Sequence, residues 1–129
     1  MTDITFKTLG GEGPDLVLIH GFGSDRLSWA GNSPALMEVA RVHSLDLPGH
    51  GDATGRGTRL GWDEDRLLAD LACRHATGEL LLVGHSLGGA LSLTIALQHR
   101  SRVAALALIA PLTTLDAALP RVFAPLQLG

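Results

Sequence analysis

"LLLVGHSLGGALSLTIAL" (residues 80–97) decides the fold. Its front end, "ELLLVGH" counted from Glu79, reads as a strand. Its back end predicts a helix over 86–100, apolar nearly all round until its last turn and therefore buried. Between them, "GHSLG" (84–88) leaves no room for a loop. Gly84 and Gly88 stand where a turn this tight cannot accept bulk, and Gly89 permits close helix–strand packing. The pattern Gly-x-Ser-x-Gly, strand before and helix behind, holds a serine hydroxyl proud of the sheet. Ser86 is that serine, and the helix aims its amino terminus at the same spot.

Working outward, strands alternate with helices. "TDITFKTLG" (2–10) reads as an edge strand or half a hairpin, and "GGEGPD" (10–15) as a turn. "LVLIH" (16–20) is a short buried strand. "GFGSDRLSWAGNSP" (21–34) is a loop leading to a short helix over "ALMEVA" (35–40). "RVHSLDLPG" (41–49) is a second central strand with a Pro-Gly stop, followed by a glycine-rich loop over 50–61. "WDEDRLLADLACRHATG" (62–78) has its leucines at helical spacing, acids in the first turn and a glycine stop. "VAALALIAP" (103–111) is a further strand, and residues 112–129 are mixed. The fold class expected is α/β: a mostly parallel sheet with helices on both faces. Such sheets bind ligands at the carboxyl ends of their strands, where Ser86 and both glycine-rich loops fall.

Ser86 is the candidate catalytic nucleophile. The loop in "LIHGFGSD" (18–25) follows the first central strand and sits beside the serine turn. The backbone N–H groups of Phe22 and Leu87 are the expected oxyanion donors.

With these motifs in hand, the chain resembles the α/β-hydrolase superfamily. "LIHGFGSD", "LDLPGHG" (45–51) and "LVGHSLGG" (82–89) carry the likeness in family order, and "LALIAP" (106–111) matches the strand after the nucleophile helix. Within it, the chain is similar to the hydrolase-like domain of acetoin-dehydrogenase acyltransferase subunits, and to small esterases and carbon–carbon-bond hydrolases. The "HGFGSD" loop also resembles that of hydrolase-derived small-molecule receptors. The resemblance implies an eight-stranded, mostly parallel sheet, a lid after the sixth strand, and a Ser–acid–His triad.

That triad order, serine then acid then histidine, is not met by this chain. His20, His43, His50 and His75 precede Ser86, and His85 adjoins it with a side chain pointing away. His99 follows thirteen residues later, roughly 20 Å along a helix at about 1.5 Å per residue. A base must come within about 3 Å. Asp116, the sole carboxylate after the helix, reads as a solvated loop residue. The chain is thus expected to be the amino-terminal part of one α/β-hydrolase domain, with lid, last strands, acid and histidine outside it. Its strand at 103–111 would then present an apolar edge, poorly soluble or pairing with another copy.

Composition excludes other classes. A formal charge of −3 gives no reason to expect nucleic acid as a partner. A single cysteine, Cys73, fits a reducing compartment, and "MTDITFKTLGGEG", with no basic or apolar region of the signal type, is not expected to act as a secretory signal. No apolar run approaches the roughly 18 residues of a membrane span, so a cytoplasmic protein is expected. "HSLDLPGHGD" offers His43, Asp46, His50 and Asp52 as metal ligands, but His43 lies inside a strand and His50 and Asp52 beyond a turn, so no metal is expected. "GFGSDR" lacks the third glycine of a dinucleotide site, and no Gly-Lys-Ser/Thr occurs, so no cofactor is expected. The leading function is hydrolysis of a small-molecule acyl substrate through Ser86, incomplete in this chain alone. The alternatives are a hydrolase-like domain of an acyltransferase complex, or a non-catalytic remnant that binds a small apolar molecule.

Overall fold

The computed structural model describes residues 5–47, 50–53 and 79–111. Five strands form one sheet: β1 (Thr5–Gly10), β2 (Asp15–Ile19), β3 (Arg41–Asp46), β4 (Leu80–His85) and β5 (Val103–Ile109). Their order is β1-β3-β2-β4-β5. β1 runs antiparallel to β3, and the remaining pairs are parallel. The α/β class and the mostly parallel sheet read from the sequence are therefore present.

Alternation divides the core between the two faces. Val17, Ile19, Leu45 and Leu82 pack on one side with Leu91 and Ile95 of helix α2 (Leu87–Gln98). Leu16, Leu18 and Val42 pack on the other with Trp29 and Ala40. β2 is buried along its whole length because it has a strand on each side and apolar packing on each face.

Two expectations need correction. Residues 21–34 are not a plain loop, and no helix covers 35–40. A 3₁₀ turn (Arg26–Trp29) and a single helical turn, α1 (Ser33–Leu36), stand there. Pro34 starts the helical turn where its missing N–H costs nothing. By Ala40 the chain has closed back toward β3, with the Arg41 N–H bonded to the Pro14 carbonyl at 2.9 Å. The helix after Ser86 is also less enclosed than its composition suggests. Gly88, Gly89, Leu91, Ser92 and Ile95 are buried, but Leu97 is exposed. The expected helix over 62–78 lies outside the described residues. Among the described residues, no helix is long and apolar enough to cross a membrane.

The registers bring the functional segments together. Leu45, Ile19, Gly84 and Leu108 form one row across four strands. Whatever follows them in the chain therefore emerges along one end of the sheet: Asp46, His20, His85 with Ser86, and Ile109.

Candidate active site

Ser86 is the single residue between β4 and α2, and it performs the whole reversal. Its backbone takes φ 54°, ψ −115°. That is the positive-φ half of conformational space, which costs a non-glycine residue about 1–3 kcal/mol. Its N–H donates to the Ile109 carbonyl at 3.0 Å. Its carbonyl accepts the Gly89 and Ala90 N–H groups at 3.0 and 3.2 Å, which starts the helix. A serine at a helix N-cap ordinarily turns its hydroxyl back onto the first turn. Ser86 occupies the N-cap of α2 and makes no such bond. The unusual backbone swings the hydroxyl away from the role its position would otherwise give it.

The flanking glycines are there because backbone comes too close for a side chain. A Cβ on Gly84 would strike the Gly88 carbonyl and stand 2.5 Å from Ser92 Oγ. A Cβ on Gly88 would enter the Ile19 and His20 carbonyls. One on Gly89 would meet Pro111 Cβ at 2.9 Å. The first turn of α2 is thus wedged against the ends of β2 and β4.

The loop after β2 abuts this turn. A Cβ placed on Gly21 would be 3.2 Å from both Ser86 Cβ and His85 Nδ1. Residues 21–24 form a tight turn, closed by Ser24 N–H to the Gly21 carbonyl at 3.2 Å, with Gly23 at φ +76°. Phe22 stands at its tip, 39% exposed. Leu87, the first residue of α2, is half-buried against the core. The fold therefore brings the loop carrying Phe22 to the serine turn carrying Leu87.

A hydrogen-bonded circuit ties this loop to the one after β3. His20 Nδ1 donates to the Gly21 carbonyl at 2.7 Å, and His20 Nε2 accepts the Leu47 N–H at 2.9 Å. The Leu47 carbonyl accepts the His50 N–H at 2.9 Å. His50 Nε2 accepts the Gly23 N–H at 2.9 Å. Donors on both sides fix the tautomers: neither Nε2 carries a proton. Burial holds His20 below its usual 6.5, and the nearby His50 pushes the same way. The Gly21 carbonyl and the carboxylates of Asp46 and Asp25 push it back up.

The four residues weighed as metal ligands are divided among separate tasks. His43, buried inside β3, bonds Asp15 through Nε2 at 2.8 Å and Thr8 through Nδ1 at 3.0 Å. Asp46 accepts the backbone N–H groups of Arg26 and Asp52. Asp52 pairs with the Arg26 guanidinium at 2.7 Å, and His50 holds Gly23. His85 is exposed beside Ser86, and His99 closes the far end of α2. His75 and Asp116 lie outside the described residues. Sequence reasoning found the serine turn and the neighbouring loop but gave His20, His50 and Asp46 no part in supporting them.

With the geometry established, comparison with known proteins is direct. A family model for the alpha/beta hydrolase fold matches residues 14–128. The chain is 47% identical over 110 residues to the dihydrolipoyllysine-residue acetyltransferase component of the acetoin cleaving system of Pseudomonas putida, covering 79% of this chain and 28% of that protein. It is 37% identical over 98 residues to the pimeloyl-(acyl-carrier protein) methyl ester esterase of Nitrosospira multiformis, covering 72% and 36%. It superposes on the crystal structure of a bacterial membrane phospholipase A with a TM-score of 0.75 at 34% identity, covering 88% and 38%. The chain spans less than half the length of each of these proteins. A Gly-x-Ser-x-Gly turn at the end of a parallel strand, the adjoining loop after β2 and the family match agree: this chain belongs to the α/β hydrolase family.

Proposed function

We propose that Ser86 is the nucleophile of an ester-cleaving serine hydrolase acting on a small acyl substrate. Its Oγ attacks the ester carbonyl carbon. The negative charge that develops on the carbonyl oxygen is held by the backbone N–H groups of Phe22 and Leu87, with the positive end of the α2 dipole behind it. The tetrahedral intermediate expels the alcohol and leaves an acyl-serine, which water then hydrolyses. A base takes the Oγ proton and returns it to the leaving alkoxide. That base comes from outside the described residues, since the described histidines are engaged in the circuit, buried within β3, beside Ser86, or at the far end of α2.

One observation carries the reading: an N-cap serine in a positive-φ backbone whose hydroxyl does not cap its helix. The esterase relatives support the substrate class. The 47% identity to an acetyltransferase component supports a second reading, in which the acyl group passes to an acceptor other than water.

A fluorophosphonate probe tests the nucleophile. Labelling of the purified chain is expected to be slow, confined to the peptide containing Ser86, absent in Ser86→Ala, and accelerated by added imidazole as a surrogate base. Label spread over other serines, or no label at Ser86 even with imidazole, overturns the proposal. Turnover of a simple ester by the chain alone is expected to reach only ~10³–10⁴ over water, the level left when a triad member is missing.

A further inference from the structure

The turn carrying Phe22 follows β2 and packs against the serine turn at Gly21. Gly23 has open space where a side chain would be, and Phe22 is exposed at the tip. Glycine at φ +76° suits the third position of a type II turn, and glycine also tolerates the flipped alternative, in which the peptide plane between residues 22 and 23 turns over. The turn's own bond, Ser24 N–H to Gly21, survives either way. What distinguishes the two is where the Gly23 N–H points.

His50 answers that. Its Nε2 accepts the Gly23 N–H at 2.9 Å, and its ring meets the Phe22 ring edge-on, centroids 5.6 Å apart. The ring is buried, and it rests on the His20 ring at 5.1 Å. Its backbone is anchored to Leu47, whose N–H is anchored in turn to His20. The side chain thus touches both central residues of the turn and is braced from beneath.

We propose that His50 is the positioning residue of the Phe22–Gly23 turn, setting the peptide plane through an unprotonated Nε2, so that the turn is held when His50 is neutral and released when His50 takes a proton. This rests on the reading of Ser86 and Phe22 given above only for its effect on chemistry; the latch itself is a property of the loop. A protonated imidazole has two donors and no acceptor, so Nε2–H would face the Gly23 N–H head-on. Among the described residues, the titratable and charged groups around this loop are His20 at the end of β2, Asp25 and Arg26 on the same loop, Asp46 at the end of β3, Asp52, and His85 at the end of β4, beside Gly21. Burial lowers the His20 pKa, Arg26 faces both Asp46 and Asp52, and His50 is the member of the cluster that accepts the Gly23 N–H, so its proton bears directly on the turn.

Two variants separate acceptor from bulk. His50→Gln places an amide oxygen near the Nε2 position and cannot take a proton. His50→Phe keeps the ring against Phe22 and His20 and removes the acceptor. In the native chain, the Gly23 amide ¹⁵N–¹H shift is expected to follow the His50 ring titration with the same midpoint. Its hydrogen-exchange protection factor, which cancels the intrinsic pH dependence of exchange, is expected to fall by about fivefold in the protonated state, the loss of one net hydrogen bond. In His50→Gln the amide is pH-independent and protected; in His50→Phe it is shifted and unprotected throughout. The ratio of native to His50→Gln fluorophosphonate labelling rates, which cancels the titration of added imidazole, is expected to fall through that midpoint, because a turn no longer pinned at Gly23 holds the adjoining Phe22 N–H less firmly. A Gly23 amide that ignores both pH and His50→Phe overturns the latch and leaves the nucleophile reading standing. A Gly23 amide that follows His50 while the ratio stays flat overturns the positioning role. A Gly23 amide that follows His50 with no labelling of Ser86 in any variant sustains the latch and sinks the nucleophile reading.

Discussion

The Asp46 carboxylate receives the Arg26 backbone N–H at 2.7 Å and faces that residue's Nε at 3.4 Å, with the Asp46 side chain 1% exposed. It also receives the Asp52 N–H at 3.1 Å. One carboxylate thereby fastens the 3₁₀ turn after β2 to the turn after β3, beneath the loop that carries Phe22. Removing it takes the acceptor from two backbone donors and leaves the Arg26 guanidinium to Asp52 alone. Asp46→Ala is expected to cost about 1–3 kcal/mol in denaturant unfolding, the range for leaving buried donors unsatisfied. Asp46→Asn keeps one acceptor and is expected to cost clearly less. Equal losses in the two variants would show that charge and not hydrogen bonding holds the loops.

Gly51 sits directly over the same carboxylate. A Cβ there would strike Asp46 Oδ1, and its φ is +50°. Gly51→Ala is expected to destabilise by about 1–3 kcal/mol through strain and crowding together. Gly51→Ala in an Asp46→Ala background is expected to cost less than in the native chain, because the clash is gone; a double-mutant cycle reads the difference.

At the serine turn, stability and chemistry pull in opposite directions. Ser86→Gly relieves a positive-φ backbone and is expected to raise stability by about 1 kcal/mol, the strain released less the added freedom of the unfolded chain. It also deletes the hydroxyl, so labelling disappears. Gly84→Ala and Gly88→Ala go the other way, forcing a methyl into backbone oxygens, and are expected to cost at least about 1–3 kcal/mol. Thermal melts of the three variants check the signs.

How far the sequence speaks is visible in which of these residues it exposed. β2, β3, β4 and β5 were legible because short apolar runs end in turn residues within a position or two of the observed ends. Ser86 was legible because its constraints are local: two glycines and a junction inside five residues. The partners of Asp46 and His50 were not. Asp46 to Arg26 spans 20 residues of chain, and Gly23 to His50 spans 27. Only the register of β2 against β3 makes them neighbours. The same four residues that looked like a ligand set within ten positions are divided by that register into structural bonds. The single turn of α1 carries too few residues for periodicity, so its bounds were misread toward 35–40.

Stability is expected to depend on pH through His20. Its folded pKa lies below the usual 6.5, so the unfolded chain binds the proton more readily. The stabilisation is complete above 6.5 and is lost progressively as pH falls from there toward the folded value. His20→Gln retains an acceptor for the Leu47 N–H and removes the titration. Its unfolding free energy is expected to be flatter below pH 6.5, by at most about 1.4 kcal/mol per pH unit for one proton. Parallel slopes in the two chains would place the acid sensitivity elsewhere.

Among the described residues, β5 has a strand on one side only, and Ala105, Ala107 and Ile109 along it are exposed. We propose that this edge drives self-association of the chain. Size-exclusion chromatography is expected to show species larger than a monomer, shifted toward monomer by Ala107→Lys. A sharp monomer peak for the native chain would count against it.

The bond from Ser86 N–H to the Ile109 carbonyl gives that edge a second meaning. The last residue of the outermost strand is also the peg on which the serine's backbone hangs. A polypeptide zipped alongside β5 would therefore tug on the same peptide unit that orients the hydroxyl. In this scaffold, assembly at the rim and readiness at the centre are separated by a single amide.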